Sequence, residues 1–236
     1  MHAQSISDSI RSKVNSLSSP EEKIVLYAET AENYNEKDPA LAVIFALKAL
    51  RISEENNLEI YAANIKYLLG RIYSQLSDLD EASKYLYESL EYAIESDLYL
   101  LQCRIYNNLS VIYSTFGNYE KCREEAFNAL HAAKEADSMR NIAYLNIANS
   151  YMIFDIDSAE FYLLKALKET SPNSLDEYYN LSRIYNSLGA VYFFRNDFSK
   201  AVNFYEYALG YTDDLRIRSM LFINIGEALI YTDIHD

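Results

Sequence analysis

The sequence contains no tryptophan and only three prolines and five glycines among its 236 residues. Proline and glycine break helices and mark loops, so their scarcity favours helices that are joined by short turns. Strand signals are absent as well, while half of the residues are apolar, which is enough for an extended core. We therefore expect an all-α protein.

Histidine and cysteine are also rare, at three and two residues. His2, His131 and His235 have no second histidine or cysteine at ligand spacing, so we expect no metal site. Cys103 and Cys122 fall near the starts of two successive helices, which lie far apart in an antiparallel hairpin. We interpret them as packed free thiols. The chain also lacks a phosphate loop and a nucleotide fingerprint, so we predict no cofactor.

Basic residues are in the minority: 21 Lys and Arg stand against 35 Asp and Glu, a formal net charge of −14. Nucleic acids and anionic membrane surfaces bind clustered Lys and Arg, so we predict that neither is a partner. No apolar run approaches the ~20 residues that a membrane-spanning helix needs, so we expect no membrane insertion by this chain. Carboxylate pairs such as Glu124 and Glu125 are interpreted as solvated surface and not as acid/base pairs, and we predict no enzyme.

A recurring pattern of small and aromatic residues runs through most of the chain and is clearest at residues 103–130. Ser110 follows Tyr106 by four residues and precedes Tyr113 by three, which puts all three on one stripe of a helix. Equivalent small residues fall at 31, 70, 110, 148, 189 and 226, at steps of 37 to 41 residues. A second pair of small residues, seven apart, follows each of the first five copies. Each unit therefore predicts two helices joined by a short turn. Lys66 is the one gap in the aromatic stripe.

This arrangement resembles the tetratricopeptide repeat, in the long-period form found in kinesin light chains and in many bacterial sensor proteins. The resemblance rests on residues 108–113 (NLSVIY), with relatives at 146–148 (NIA) and 224–226 (NIG), and covers about residues 21–232. It implies a right-handed α-solenoid of helix-turn-helix repeats. We expect an amphipathic capping helix at 1–18, then a single superhelix of five helical hairpins and a C-terminal helix at 19–236.

A second stripe on the first helix of each unit points away from the hairpin core. In the central unit it consists of Arg104, Asn108 and Val111, and Asn108 is rotated about 200° from Ser110 at ~100° per residue. In the family resembled, this stripe lines the concave groove and its asparagines hold the backbone of an extended peptide. The resemblance thus implies peptide-binding residues, with arginines on the same surface that suit a ligand carboxylate: Asn108, Asn146, Asn224, Asn149, Asn107, Asn186, Arg71, Arg104 and Arg183. The alternative is that the asparagines are solvated or bond between adjacent repeats, and that the arginines are ordinary surface residues.

The expected function is binding of a peptide or protein segment in this groove. A narrower form is the sensor region of a bacterial signalling or transcription-regulating protein, because residues 19–23 (SPEEK) and 38–42 (DPALA) look like the opening of such arrays. The alternative is a self-assembling module, a homodimer in the simplest case, whose residues Met220, Leu221 and Phe222 pair with another copy. The compartment stays open: cytoplasmic is the default, but residues 2–5 (HAQS) resemble the surroundings of export-signal cleavage sites, which leaves a periplasmic alternative.

Overall fold

A computed structural model describes residue 10 and residues 12–235, and these form helices and turns without a strand. Eleven helices lie within residues 20–235. They are α1 (Pro20–Asn35), α2 (Pro39–Glu55), α3 (Glu59–Gln75), α4 (Leu79–Glu95), α5 (Tyr99–Thr115), α6 (Tyr119–Glu135), α7 (Arg140–Tyr151), α8 (Ile156–Lys168), α9 (Leu175–Phe194), α10 (Phe198–Leu209) and α11 (Leu215–His235). The all-α prediction is confirmed.

The predicted capping helix at 1–18 falls mostly outside the described residues. Of its described residues, 10 and 12–18, residue 10 and residues 12–15 are helical. Val14 is buried there against the core of α1 and α2.

Most helices begin after a residue whose side chain caps the first turn. At α1, Ser19 Oγ accepts the Glu22 amide at 3.1 Å and the Glu22 carboxylate accepts the Ser19 amide at 3.3 Å, which together form a capping box. Every even-numbered helix begins after an Asp or Asn whose side chain accepts the amide three residues on, at 3.0 to 3.4 Å. These N-caps are Asp38, Asp78, Asn118, Asp155 and Asp197.

The turns have an even spacing over the middle of the chain. Helices α2 to α6 are each 17 residues long. The turns around them place a residue with positive φ, between 46° and 71°, at every twentieth position: Asn57, Ser77, Asp97, Gly117 and Asp137. Asn and Asp tolerate this left-handed conformation better than most side chains, so short polar turns suffice here without a glycine at each site.

The residues group into two compact units, the first ending at Ile112 and the second beginning at Tyr113. In the first unit, α1 pairs with α2 and α3 pairs with α4. In the second, α7 pairs with α8, α9 pairs with α10, and α11 packs on α10. The prediction that the whole array is a single superhelix stays a prediction.

Two of the predicted small residues, Gly70 and Gly189, are points of close helix contact. A Cβ added to Gly70 would lie 2.6 Å from Leu86 Cγ on the paired helix, and a Cβ added to Gly189 would overlap the ring of Tyr205. Next to these points the aromatic stripe stacks on the second helix, with ring centroids 5.6 Å apart for Tyr73 and Tyr85. In both hairpins a side chain of the paired helix therefore packs closely on a glycine, and in the first of them stacked rings lie beside that contact.

Candidate peptide-binding site

The first unit contains a groove of about 650 Å³ between side chains of α1, α3 and α5. The predicted open stripe supplies much of its lining. The lining consists of Ala28, Glu29, Glu32, Asn33, Asn64, Ile65, Tyr67, Leu68, Arg71 and Arg104. Two of the nine predicted site residues, Arg71 and Arg104, thus face the same groove.

Arg71 is already paired inside this groove. Its Nη1 donates to Glu32 Oε1 at 2.8 Å, and its guanidinium lies 5.8 Å from the ring centroid of Tyr67. Burial raises the pKa of Tyr67, against the opposing effect of the nearby arginines, so its hydroxyl is protonated at neutral pH. Arg71 is therefore a structural link between α1 and α3 as well as part of the groove wall.

Asn108 is half-buried at the edge of the same cluster. Its Nδ2 donates to the Arg104 carbonyl oxygen at 2.8 Å and lies 3.5 Å from the Tyr67 hydroxyl. The first contact is local to the helix, and the second is at the outer limit of a hydrogen bond. A ligand that displaced these two contacts would therefore cost little free energy.

Arg104 and Glu29 are the exposed charges of the groove that lack a counter-ion. Within the described residues, neither has an oppositely charged atom within 4.0 Å. The groove thus offers one unpaired cation and one unpaired anion. A ligand with a matching pair of charges would satisfy both.

In the second unit, three predicted asparagines bond between successive odd-numbered helices. Asn149 Oδ1 accepts the Ser187 hydroxyl at 3.2 Å, which joins α7 to α9. Asn224 Nδ2 donates to Asn186 Oδ1 at 2.9 Å, which joins α9 to α11. These contacts correspond to the alternative interpretation, in which the asparagines link adjacent repeats. Their predicted role in peptide binding stays a prediction.

Two further asparagines are buried. Asn146 is only 4% exposed, so its expected place on an open stripe is wrong; α7 packs against both α6 and α9, which leaves this position little access to solvent. Asn107, 5% exposed in the first unit, donates from Nδ2 to Cys103 Sγ at 3.4 Å. Their predicted contact with a ligand stays a prediction, and both side chains are buried in the protein interior.

Arg183, on α9, is half-buried with its guanidinium 5.7 Å from the ring centroid of Tyr179. Removal from water lowers its pKa, yet an arginine remains charged at neutral pH because its ordinary pKa lies above 12. No carboxylate lies within 4.0 Å of it among the residues that the structure covers. It is the second predicted site arginine without a counter-ion.

The sequence reasoning missed a second cavity, of about 680 Å³, beside the turns that precede α6 and α8. Phe116 and Phe154 line it and are exposed, while Arg123 of the same cavity places its guanidinium 4.4 Å from the ring of Tyr151. The sequence could have indicated this cavity, because a phenylalanine stands directly before each of the two polar turns. Their side chains extend the apolar surface of the second unit.

Metal binding and membrane insertion find no support in the described part of the chain. It contains no group of three or more His, Cys, Asp or Glu side chains that is suited to a metal ion. Within the same residues, no helix combines the length and apolar character needed to cross a bilayer. Cys103 and Cys122 are both buried, as predicted, and no disulfide joins them. Burial raises the pKa of the Cys103 thiol to about 11, which holds it in the unreactive protonated form.

Comparison with known proteins connects this geometry to a family. Residues 61–124 match the tetratricopeptide repeat family. Similar solved structures include BtubC (BKLC) from P. vanneervenii, with 23% identity, a TM-score of 0.66 and coverage of 93% of this chain and 87% of that one. The apo form of RapI has 15% identity and a TM-score of 0.63, and the match covers 94% of this chain and 89% of RapI. PilF of Pseudomonas aeruginosa has 14% identity and a TM-score of 0.62, and the match covers 91% of this chain and 87% of PilF. No curated protein sequence matches the chain. At these identities the likeness concerns the fold.

Proposed function

We propose that the chain is a tetratricopeptide repeat protein that acts as a non-enzymatic scaffold and binds a peptide or protein segment. The match of residues 61–124 to that family and the likeness to a solved structure over 93% of this chain support the proposal. Proteins of this family generally act as interaction scaffolds. We propose the groove between α1, α3 and α5 as the binding site. The unpaired Arg104 in that groove is the observation that carries the proposal.

The groove has the composition that an extended segment needs. Leu68 gives it a buried apolar floor and Asn64 lines its side, while the amide of Asn108 lies next to the groove, 3.5 Å from the hydroxyl of the lining residue Tyr67. An amide side chain can bond both the N–H and the C=O of a peptide backbone, so it holds a strand without selecting its side chains. Backbone contact of this kind supplies affinity, and the charged residues supply selectivity.

The charges favour a ligand that carries both signs. Arg104 would bind an acidic side chain or a terminal carboxylate, because a guanidinium holds carboxylates through paired hydrogen bonds. Glu29 would bind a basic side chain of the same segment. A net charge of −14 makes a nucleic acid an unsuitable ligand, so the proposal is confined to polypeptides.

Peptides selected from a displayed random library test the proposal. Titration calorimetry should show that Arg104→Ala weakens the selected peptide by about 10- to 100-fold, since a hydrogen bond to a charged group contributes about 1.5–3 kcal/mol. Asn108→Ala should weaken it by a smaller factor. Arg51→Ala is the matched control, because Arg51 is an exposed arginine of the same unit on α2, outside the groove lining. Equal effects of Arg104→Ala and Arg51→Ala would rule out this groove as the site.

A regulatory role in bacterial signalling is the narrower form of this proposal. The capped start at Ser19 and the Asp38-Pro39 start of α2 support it, because both occur where such arrays open. The genomic context provides the test. A histidine kinase or DNA-binding domain in the same gene or its neighbours would support the role, and a context without regulatory genes would count against it.

A further inference from the structure

Helix α11 is apolar on two opposite faces. Leu221 and Ala228 are fully buried against the core of α10. On the other side Phe222, Ile223 and Ile230 are 56%, 69% and 60% exposed. A surface helix of a soluble protein is normally apolar on one face, and a helix that is apolar all round is normally buried. The exposed face of α11 is therefore suited to a second packing partner.

Gly226 lies at the centre of the exposed face and is open. At the equivalent positions of earlier repeats, an added Cβ would meet the paired helix, at Leu86 for Gly70 and at Tyr205 for Gly189. At Gly226 the described residues leave nothing within 4 Å of such a Cβ. This helix thus has the close-contact point of a hairpin, with no neighbour there in the part of the chain described.

The exposed apolar residues are arranged symmetrically about that point. Phe222 and Ile223 precede Gly226 by four and three residues, and Leu229 and Ile230 follow it by three and four. At ~100° per residue all four lie within about 60° of Gly226 around the helix. An antiparallel copy of the same helix, related by a two-fold axis beside Gly226, would set Phe222 against Ile230 and Ile223 against Leu229.

We propose that the occupant of this face is the α11 helix of a second copy of the chain, packed antiparallel about a two-fold axis at Gly226. Such an arrangement is self-complementary, as a two-fold dimer requires. It goes beyond ligand binding in the groove, which uses other helices. It also corrects the set expected from the sequence: Leu221 is 0% exposed and cannot contact another copy, and Met220 lies outside the stripe, about 120° from Gly226 around the helix.

The dimer is expected to be weak. α11 has 21 residues and is about 30 Å long at 1.5 Å per residue. A dimer of standard size buries about 800 Å² on each partner, more than four large side chains provide, so the dissociation constant should be on the order of 1–100 µM. Each copy carries a net charge of −14, so repulsion between the copies opposes association. Added salt screens that repulsion and should strengthen the dimer.

Sedimentation equilibrium of the whole chain tests the proposal. The mass should rise from 27.2 kDa towards twice that value as concentration rises. Ile223→Lys or Leu229→Glu should each raise the dissociation constant at least about tenfold, because a charge then faces an apolar residue. The double variant Ile223→Lys/Leu229→Glu should recover most of the affinity, because the antiparallel register pairs the two new charges. Leu175→Lys is the control, since Leu175 is 87% exposed on α9.

Each other outcome would overturn the proposal. A wild-type chain that stays monomeric to several hundred micromolar excludes the dimer. Single variants that dimerise as well as wild type exclude this face, and a double variant without recovery excludes the register. A peptide with the sequence of residues 198–212 serves as a competing occupant. These residues include α10, the second helix of the α9–α10 hairpin. If the chain is monomeric and binds that peptide, the face of α11 accepts a second hairpin helix and not another α11. Circular dichroism of each variant controls for unfolding.

Discussion

The absence of a side chain at Gly189 sets how closely α9 and α10 approach. Gly189→Ala should lower the free energy of unfolding by about 1–3 kcal/mol, because the ring of Tyr205 must move to admit a methyl group. Gly226→Ala is the matched change, and it should be neutral or stabilising by up to about 1 kcal/mol, since alanine favours helix and the site is open. Urea unfolding at a concentration where the chain is monomeric measures both. Similar losses at both positions would contradict the packing described.

The asparagines of the predicted row should divide into structural and non-structural members. Asn224→Ala removes the 2.9 Å bond to Asn186 and should cost about 0.5–1.5 kcal/mol of stability. Asn108→Ala removes only a bond within its own helix and a 3.5 Å contact, so unfolding should change little. Melting curves of the two variants test this. Equal destabilisation would show that Asn108 is structural too.

Residue type and spacing could place these asparagines on one helix face but could not show what covers that face. Asn108 and Asn146 both stand two residues before a small anchor, yet one is half-buried and the other is 4% exposed. The difference depends on neighbouring helices. Lys66 gives a second example: it takes the place of an aromatic residue, and its Nζ reaches Glu88 at 2.9 Å. An ion pair fills the position that a ring fills elsewhere.

At the scale of helices, the regularly spaced small residues predict paired helices. They did not predict helix length. α7 and α10 have 12 residues and α9 has 20, against 17 for each helix from α2 to α6. The last helix has 21 residues, from Leu215 to His235. Gly210 directly follows α10 and marks its end, but neither proline nor glycine directly follows α7 or α9, so packing and not local preference sets the ends of those two helices.

An ion-pair network fastens α8 to the end of α9. Arg195 donates to Glu160 at 2.7 Å and to Asp157 at 2.5 Å, and the Tyr192 hydroxyl donates to Glu160 at 2.7 Å. Arg195→Ala should cost about 0.5–1.5 kcal/mol, because the groups are only partly shielded from solvent. Arg51→Ala, which breaks an exposed pair on α2, should leave the melting temperature unchanged. Equal shifts for the two variants would contradict a structural role for the network.

The same network should make stability depend on pH. Partial burial raises the pKa of Glu160, but the bonds from Tyr192 and Arg195 outweigh it and lower that pKa overall. The stabilisation is therefore complete above the unfolded-state pKa of about 4.3 and is lost as pH falls through the folded-state pKa. The stability difference between wild type and Glu160→Gln should shrink as pH falls below about 4. A difference that stays constant to pH 2 would contradict this assignment.

At the scale of the whole molecule, charge sets what the chain repels. A formal charge of −14 should keep duplex DNA and RNA from binding at physiological salt, because no excess of Lys and Arg is available to replace counter-ions. Gel-shift assays at about 150 mM salt measure this. The control is the same assay with a basic peptide in place of the chain. A shifted band from the chain itself would require a local basic surface and would contradict the prediction.

The chain has two cysteines, one in each compact unit, and both thiols are sealed from solvent. A thiol in that state reacts with an alkylating reagent only when the surrounding helices open, so its modification rate reports the free energy of local opening. Cys103 and Cys122 thus report local opening separately at two places in one polypeptide. If both are modified at the same rate across a urea series, the array unfolds as one cooperative body. If one reacts well before the other, the two halves of the chain open separately.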